Sequence, residues 1–332
     1  MGGDYAPRAT VEGALLALQE LRPTVEVQLV GRREAVDEQL AGLVSGELKA
    51  QAALRERIAI VDAPDVIEMS DKPTAAVRGK PNSSMVVGLK LQVEGKSDAF
   101  VSAGNTGAQM AASTFLLKLH SGLTRPAIAT LFPTARKPVV VVDSGANVDC
   151  SAEELVQFAR LGTVYAEDIL GRDDPVVGLL SIGEEPEKGN TAVKETHQLL
   201  QKAGLNFQGN VEGRDIPLGA SDRGPLDVVV CDGFTGNVLL KFYEAVAPMI
   251  VQMVASAAAL EGPQLKRAMK TLDYSEYGGA PLLGVRGVSI ISHGKSSPKA
   301  IKNAILVAAR AVDSRMDEHI GRRLAETAAE IA

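Results

Sequence analysis

Short apolar runs alternate along this chain with longer segments whose apolar residues return every three to four positions. The short runs read as strands over 26–30, 58–61, 99–102, 139–142, 176–182, 227–231 and 288–291. Val139 to Val142 and Val288 to Ile291 are continuous, uncharged and rich in β-branched residues, as strands covered on both faces of a parallel sheet are. The longer segments, beginning with 9–21, supply the helical crossovers that parallel neighbours require. The pattern predicts one doubly wound, mainly parallel α/β domain over 1–332, with room for a pinch into two lobes. No Ser/Gly/Pro-rich linker marks a boundary, and no internal repeat is visible. The opening breaks the alternation. Met1 to Pro7 reads as a loop ahead of the first helix, where a strand would ordinarily feed it, so a strand of about seven to ten residues is expected in front of Met1.

The loops that follow the strands carry the chemistry. They are Ser102-Ala103-Gly104-Asn105-Thr106-Gly107, Asp143-Ser144-Gly145-Ala146-Asn147 and Gly183-Glu184-Glu185-Pro186-Glu187-Lys188-Gly189-Asn190. Two more are Asp232-Gly233-Phe234-Thr235-Gly236-Asn237 and Ser292-His293-Gly294-Lys295-Ser296-Ser297. A helix follows each; one opens with the capping box Ser151…Glu154, and Pro298 suits the first turn of another. In an open parallel sheet, ligands bind beyond the carboxyl ends of the strands. Gly lets backbone approach a ligand, and helix N-termini offer free N–H groups, so such loops together suit an anion, phosphate above all. For one loop, turn and cap duty is the better account of Gly and Asn. For five successive strand ends, an anion site is.

Composition narrows the classes. The chain has 332 residues, 45% of them apolar but only 4% aromatic, and no Trp, so its core is aliphatic. With 35 basic and 41 acidic residues the net charge is −6, which argues against nucleic acid as the ligand. Cys150 and Cys231 make neither a disulfide framework nor a zinc site, and read as packed thiols. The absence of a signal peptide and of any long uncharged run points to a cytoplasmic protein without a membrane span. Gly294-Lys295-Ser296 resembles the tail of a nucleotide-binding P-loop, but Ser289 stands where that motif needs Gly. There is no G-x-G-x-x-G, G-x-S-x-G or H-E-x-x-H. His120, His197 and His319 read as solvated residues on polar helical faces, whereas His293 stands in a strand-end loop.

The sequence resembles the PlsX family, the phosphate acyltransferases of bacterial phospholipid synthesis. The matching segments are Met1-Gly2-Gly3-Asp4 with Pro7, Ser83-Ser84-Met85, the 102–108 and 143–150 segments, and Gly183-Glu184-Glu185 with Lys188-Gly189-Asn190. Others are 232–238, 277–284 and His293-Gly294-Lys295-Ser296. They run in order over nearly the whole chain. The resemblance implies a fold akin to the isocitrate and isopropylmalate dehydrogenases and related to phosphotransacetylase. It also implies transfer of a fatty acyl group from acyl carrier protein to inorganic phosphate, by a homodimer without cofactor or metal. A downstream acylphosphate-using acyltransferase and peripheral contact with the inner face of the membrane are implied as well. Family members carry a strand before the Met-Gly-Gly-Asp motif.

Phosphate is itself the nucleophile, so the site needs anion binding, orientation and charge stabilisation rather than a reactive Ser or Cys. Lys188 and His293 are the expected charge stabilisers and Asn237 the expected oxyanion or phosphate donor. Gly104, Asn105, Thr106, Gly145, Asn147, Asn190, Asp232, Thr235, Gly294, Lys295 and Ser296 are the expected binding residues. Three rivals stand beside this reading: a short-chain phosphotransacetylase acting on acyl-CoA, a metal-dependent hydroxyacid dehydrogenase, and a non-catalytic carrier-protein scaffold. A helical hairpin is expected over 239–272. Its apolar stripe (Leu239, Phe242, Tyr243, Val246, Ile250, Met253, Val254, Ala257) suits a core or dimer contact, and Lys266, Arg267 and Lys270 near its tip suit lipid phosphates or the acidic carrier protein.

Overall fold

The computed structural model describes residues 1–257 and 278–331. In chain order the elements are α1 (Arg8–Glu20), β1 (Val27–Gly31), α2 (Arg33–Ser45), a 3-10 segment (Lys49–Arg57), β2 (Ile58–Asp62), α3 (Pro73–Gly79), α4 (Ser84–Val93), β3 (Ala99–Ser102) and α5 (Thr106–Leu116). Next come β4 (Ala127–Phe132), β5 (Val139–Val142), α6 (Ala152–Leu170), β6 (Val177–Leu180), α7 (Thr191–Leu200), β7 (Phe207–Val211) and α8 (Asp215–Leu218). The rest are β8 (Ala220–Ser221), β9 (Gly224–Pro225), β10 (Val228–Val230), α9 (Gly233–Ala257), β11 (Ala280–Leu283), β12 (Val288–Ile291), α10 (Pro298–Asp313) and α11 (Met316–Ile331). The chain divides into two compact units, Met1–Lys118 with Tyr277–Asp313, and Leu119–Glu276 with Ser314–Ala332.

In the first unit β1 and β2 pair in parallel, and β3 pairs in parallel with β12, which in turn takes β11 antiparallel. Helix α1 packs along α10, and its Val11, Leu15 and Leu18 join Leu29, Val36 and Leu40 in a buried aliphatic cluster. Gln109 of α5 is fully buried and donates to Ser289 Oγ (3.1 Å) and the Ile290 carbonyl (2.9 Å), which ties that helix to β12. A buried amide needs such partners.

The second unit is built on five strands in the order β4-β5-β10-β6-β7, all parallel except β4. The four valines of β5 and three of β10 are completely buried, as central parallel strands require. Helix α6 covers them, opened by the Ser151–Glu154 capping box. Helix α11 lies on α6 through His319–Asp168 (2.9 Å) and Arg323–Glu167 (2.9 Å). Leu239, Leu240 and Tyr243 of α9 pack on the cluster that holds Phe132, Val141 and Leu180.

All seven expected strands form, within two residues at either end. Five more were not legible: β4 and β7 carry polar residues within them, β11 contains Pro281, and β8 and β9 are two residues each. Antiparallel pairing is confined to β4 with β5, β11 with β12 and the short β8–β9 pair among the described strand pairs. Three histidines depart from the solvated reading. His197 is buried against Asn210 (2.8 Å), His120 lies outside the helices and pairs with Asp317 (2.6 Å), and His319 holds Asp168. The expected hairpin over 239–272 is seen as α9 through Ala257; Lys266, Arg267 and Lys270 lie outside the described residues.

Candidate active site

In the second unit β5, β10 and β6 lie side by side and parallel, so the loops leaving their carboxyl ends share one edge. The loop after β5 is organised by Asp143, whose side chain is fully buried. Its Oδ1 accepts from the amides of Ile128 (3.0 Å), Gly145 (3.2 Å) and Ala146 (3.0 Å). Its Oδ2 accepts from the Asn147 amide (2.7 Å) and side-chain Nδ2 (2.9 Å). Burial pushes the carboxyl pKa up, while these N–H donors favour the charged form and hold the rise back. The amides of Gly145, Ala146 and Asn147, two of which belong to expected binding residues, thus turn inward onto Asp143. Asn147 is likewise engaged, its Nδ2 also reaching the Pro126 carbonyl (2.8 Å).

Helix α9 starts directly on this loop. Its first amide, Gly233 N, donates to the Asn147 carbonyl (2.7 Å), and Asp232 caps the helix by accepting from Thr235 N (2.8 Å) and Thr235 Oγ1 (2.9 Å). A Cβ on Gly236 would collide with the Asp143 carbonyl oxygen, so only glycine lets helix and loop meet. Gly145 has φ +129°, and a Cβ there would lie 3.4 Å from Asn237 Cβ and Oδ1. Asn237 thus lies against Gly145; its side chain is exposed and makes no hydrogen bond among the described residues. In the loop after β6, Lys188 is exposed, with its stem over Gly183 and no carboxylate within ion-pair distance among the described residues. Asn190 Oδ1 caps α7 by accepting from Val193 N (2.9 Å).

The first unit gathers a second group. Parallel β3 and β12 bring the 103–107 and 292–297 loops to one edge, where Ser292 N donates to the Ser102 carbonyl (2.8 Å) and Asp4 N to the Gly294 carbonyl (2.7 Å). Gly104 N donates to Ser102 Oγ (3.1 Å). Asn105 caps α5, accepting from Ala108 N (3.0 Å), while its Nδ2 donates to the carbonyls of Glu68 (3.2 Å) and Met69 (3.3 Å). The amides of Thr106 and Gly107 remain without partners among the described residues, as the first N–H groups of a helix do. His293 and Lys295 are exposed; His293 Nδ1 accepts from Lys295 N (3.2 Å), which leaves the proton of the neutral ring on Nε2. Ser296 is buried, its amide on the His293 carbonyl (2.9 Å).

The sequence reading missed Asp143 as a site residue, although an acidic residue directly behind four buried valines was the available signal. The cysteines are not poised as nucleophiles. Burial pushes Cys150 up to about 12 and Cys231 well above the usual thiol range, and their thiols donate to the carbonyls of Asn147 (3.6 Å) and Asp143 (3.5 Å). Among the described residues no cluster of three or more His, Cys, Asp or Glu is placed to hold a metal, and no helix is long and apolar enough to cross a membrane.

Comparison with known proteins places these loops in a family. Residues 1–319 match the family model described as "Fatty acid synthesis protein". The phosphate acyltransferase of Desulfitobacterium hafniense (strain Y51) is 48% identical over 98% of this chain and 95% of its own length. That of Desulforamulus reducens is 49% identical over 94% of this chain and 92% of its own. Among solved structures, a phosphotransacetylase from Streptococcus pyogenes has a TM-score of 0.60 at 17% identity, covering 92% of both chains. A branched-chain phosphotransacylase from Enterococcus faecalis V583 has a TM-score of 0.58 at 14% identity, covering 94% of this chain and 96% of that one. At those identities the likeness shows the fold alone. The chain belongs to the fatty acid synthesis protein family, to which the phosphate acyltransferases it matches along nearly its full length give their function: it is an acyltransferase with phosphate as acceptor.

Proposed function

We propose that the acyl donor is a fatty acyl thioester of acyl carrier protein, and that Asn237 and Lys188 of the second unit serve the transfer. A phosphate oxygen attacks the thioester carbon, the carbonyl oxygen takes the negative charge, and the C–S bond breaks to release the carrier thiolate, which takes a proton from water. Asn237 supplies an N–H donor to the oxyanion, and the mobile Lys188 ammonium offsets charge as it develops. In the first unit Lys295 serves as a cation and His293, through Nε2–H, as a neutral hydrogen-bond donor for an anion. The observation that carries this reading is Asn237, whose amide is held against Gly145 yet is not consumed by a cap or turn. The product, a mixed anhydride, is passed to an acyltransferase that uses acyl phosphate for phospholipid synthesis.

The chain is further proposed to act as a homodimer through α9. That helix buries Leu239, Leu240 and Tyr243 but exposes Phe234, Val238, Phe242, Met249 and Met253, each more than half accessible. Peripheral membrane contact is assigned to the segment beyond Ala257.

The test is phosphate-dependent release of carrier thiol, with the acyl phosphate trapped as a hydroxamate. A long-chain acyl carrier protein should turn over well ahead of the matching acyl-CoA, and Lys188→Ala should lower kcat by ~10²-fold. Equal or better use of acyl-CoA would favour the phosphotransacetylase reading that the fold likeness also suggests.

A further inference from the structure

The loop that carries Lys188 is held in place by polar side chains to which the transfer itself gives no task, all of them in the second unit. Residues 185–188 are exposed, and a turn closes them, Lys188 N donating to the Glu185 carbonyl (3.0 Å). That carbonyl also accepts from Asn210 Nδ2 (2.8 Å), and the preceding carbonyl, of Glu184, accepts from the Arg223 guanidinium (3.0 Å). Among the described residues the remaining tie from outside the loop is Arg214, exposed and 3.5 Å from the Glu184 carboxylate. An exposed ion pair of that length adds little. The path of the backbone into Lys188 therefore rests on Asn210 and Arg223.

Both are themselves fixed. Asn210 is buried in β7 just past a bulge, where the register with β6 passes from Val177–Phe207 to Gly178–Gly209. A bulge re-aims the side chains that follow it. His197 of α7 sets the direction of the Asn210 amide, its Nδ1 lying 2.8 Å from Oδ1. Because the Glu185 carbonyl can only accept, the NH2 faces Glu185, Oδ1 faces the ring, and the ring proton sits on Nδ1. His197 Nε2 accepts from Gln201 Nε2 (3.2 Å), and Phe207 packs edge-on against the ring at 5.2 Å. Turning the amide over would leave buried polar groups unpaired, which is costly. Arg223 crosses β7 at Gly209, whose φ is +110°, and a Cβ there would collide with the guanidinium. From that crossing it reaches the Gln208 carbonyl (2.7 Å) as well as Glu184. The loop's last residue, Asn190, caps α7, so the middle of the loop and its end are tied to one helix and strand pair.

We propose that Asn210 and Arg223 are positioning residues for the transfer, holding the Glu184 and Glu185 backbone so that the Lys188 ammonium meets the developing charge; the inference rests on the role given to Lys188 above. Neither side chain touches substrate. A lysine has many rotamers, and a drifting loop multiplies the arrangements in which its ammonium misses the reacting atoms.

The test measures phosphate-dependent release of carrier thiol for Asn210→Ala, Arg223→Ala, Lys188→Ala and the Asn210→Ala/Lys188→Ala double variant, well below the melting midpoint of each. Asn210→Ala should lower kcat ~10-fold and Arg223→Ala ~3-fold, with KM for the acyl carrier protein changed by less than about twofold. In the Lys188→Ala background Asn210→Ala should cost less than about twofold more, because the group it positions is already gone. Merely structural residues would lower the melting midpoint and leave kcat of the folded protein unchanged, or lower kcat by the same factor in both backgrounds; either result overturns the proposal. Should Asn210→Ala fail to fold, the exposed Arg223→Ala takes its place in both backgrounds, and an unchanged kcat there overturns the proposal equally. A loss of ~10²-fold in Lys188→Ala beside an unchanged kcat in Asn210→Ala sinks this inference alone. Near-normal kcat in Lys188→Ala sinks the role of Lys188, and the inference with it.

Discussion

Five hydrogen bonds converge on the Asp143 carboxylate, and they set the shape of the loop against which Asn237 rests. Asp143→Asn replaces one acceptor oxygen with an NH2 group that faces donors. The expected loss is about 1–3 kcal/mol of stability by denaturant titration, from the N–H groups left unpaired. Turnover should fall by more than ~10-fold as the loop loosens under Asn237. Asn237→Ala should behave differently, lowering kcat by ~10²-fold with an unchanged denaturation midpoint, since that side chain bonds to nothing else described. A midpoint shift as large as that of Asp143→Asn would return Asn237 to a structural role. The four strand-end asparagines look alike in sequence, yet Asn105, Asn147 and Asn190 are occupied by caps and loop closure. Residue type and position behind a strand were legible; the direction in which an amide points is set by partners such as Glu68 and Pro126, remote in the chain.

Secondary elements were legible where local chemistry decides them. The Ser151–Glu154 capping box is one such case, and Ser151→Ala should cost about 1 kcal/mol in a urea titration. Glu154 also accepts from Thr124 (3.0 Å) and pairs with Arg125 (3.1 Å), so Glu154→Ala should cost more than Ser151→Ala. β4, β7 and β11 escaped notice because neighbours rather than composition make them strands; β7, with Gly209 and Asn210 in its middle, is held by pairing to β6. Helix α9 shows the same limit. Its apolar residues recur at helical spacing, but the described structure divides them between the sheet cluster around Val141 and solvent. Phe242→Glu, 68% exposed in the single chain, should leave secondary structure intact and shift sedimentation toward monomer. An unchanged sedimentation coefficient would remove α9 from the subunit contact.

For the molecule as a whole, the doubly wound α/β class and room for a pinch into two lobes were readable from strand and helix periods, while the place where the chain divides was not, because no linker marks it. The division also bears on the order in which the molecule can be built on the ribosome. The first unit takes its β11, β12 and α10 from residues after 276, and the second takes α11 from residues after 313. Neither can close while its late segment is still inside the exit tunnel, although domains generally fold as units during synthesis. At about 5–20 residues per second, the nascent β1–β2 pair and the apolar strands of the second unit wait on the order of ten seconds or more for their last partners. The growing chain is thus a client for the cell's chaperones until translation is nearly over, and a ribosome-bound fragment ending at Lys118 should remain protease-sensitive.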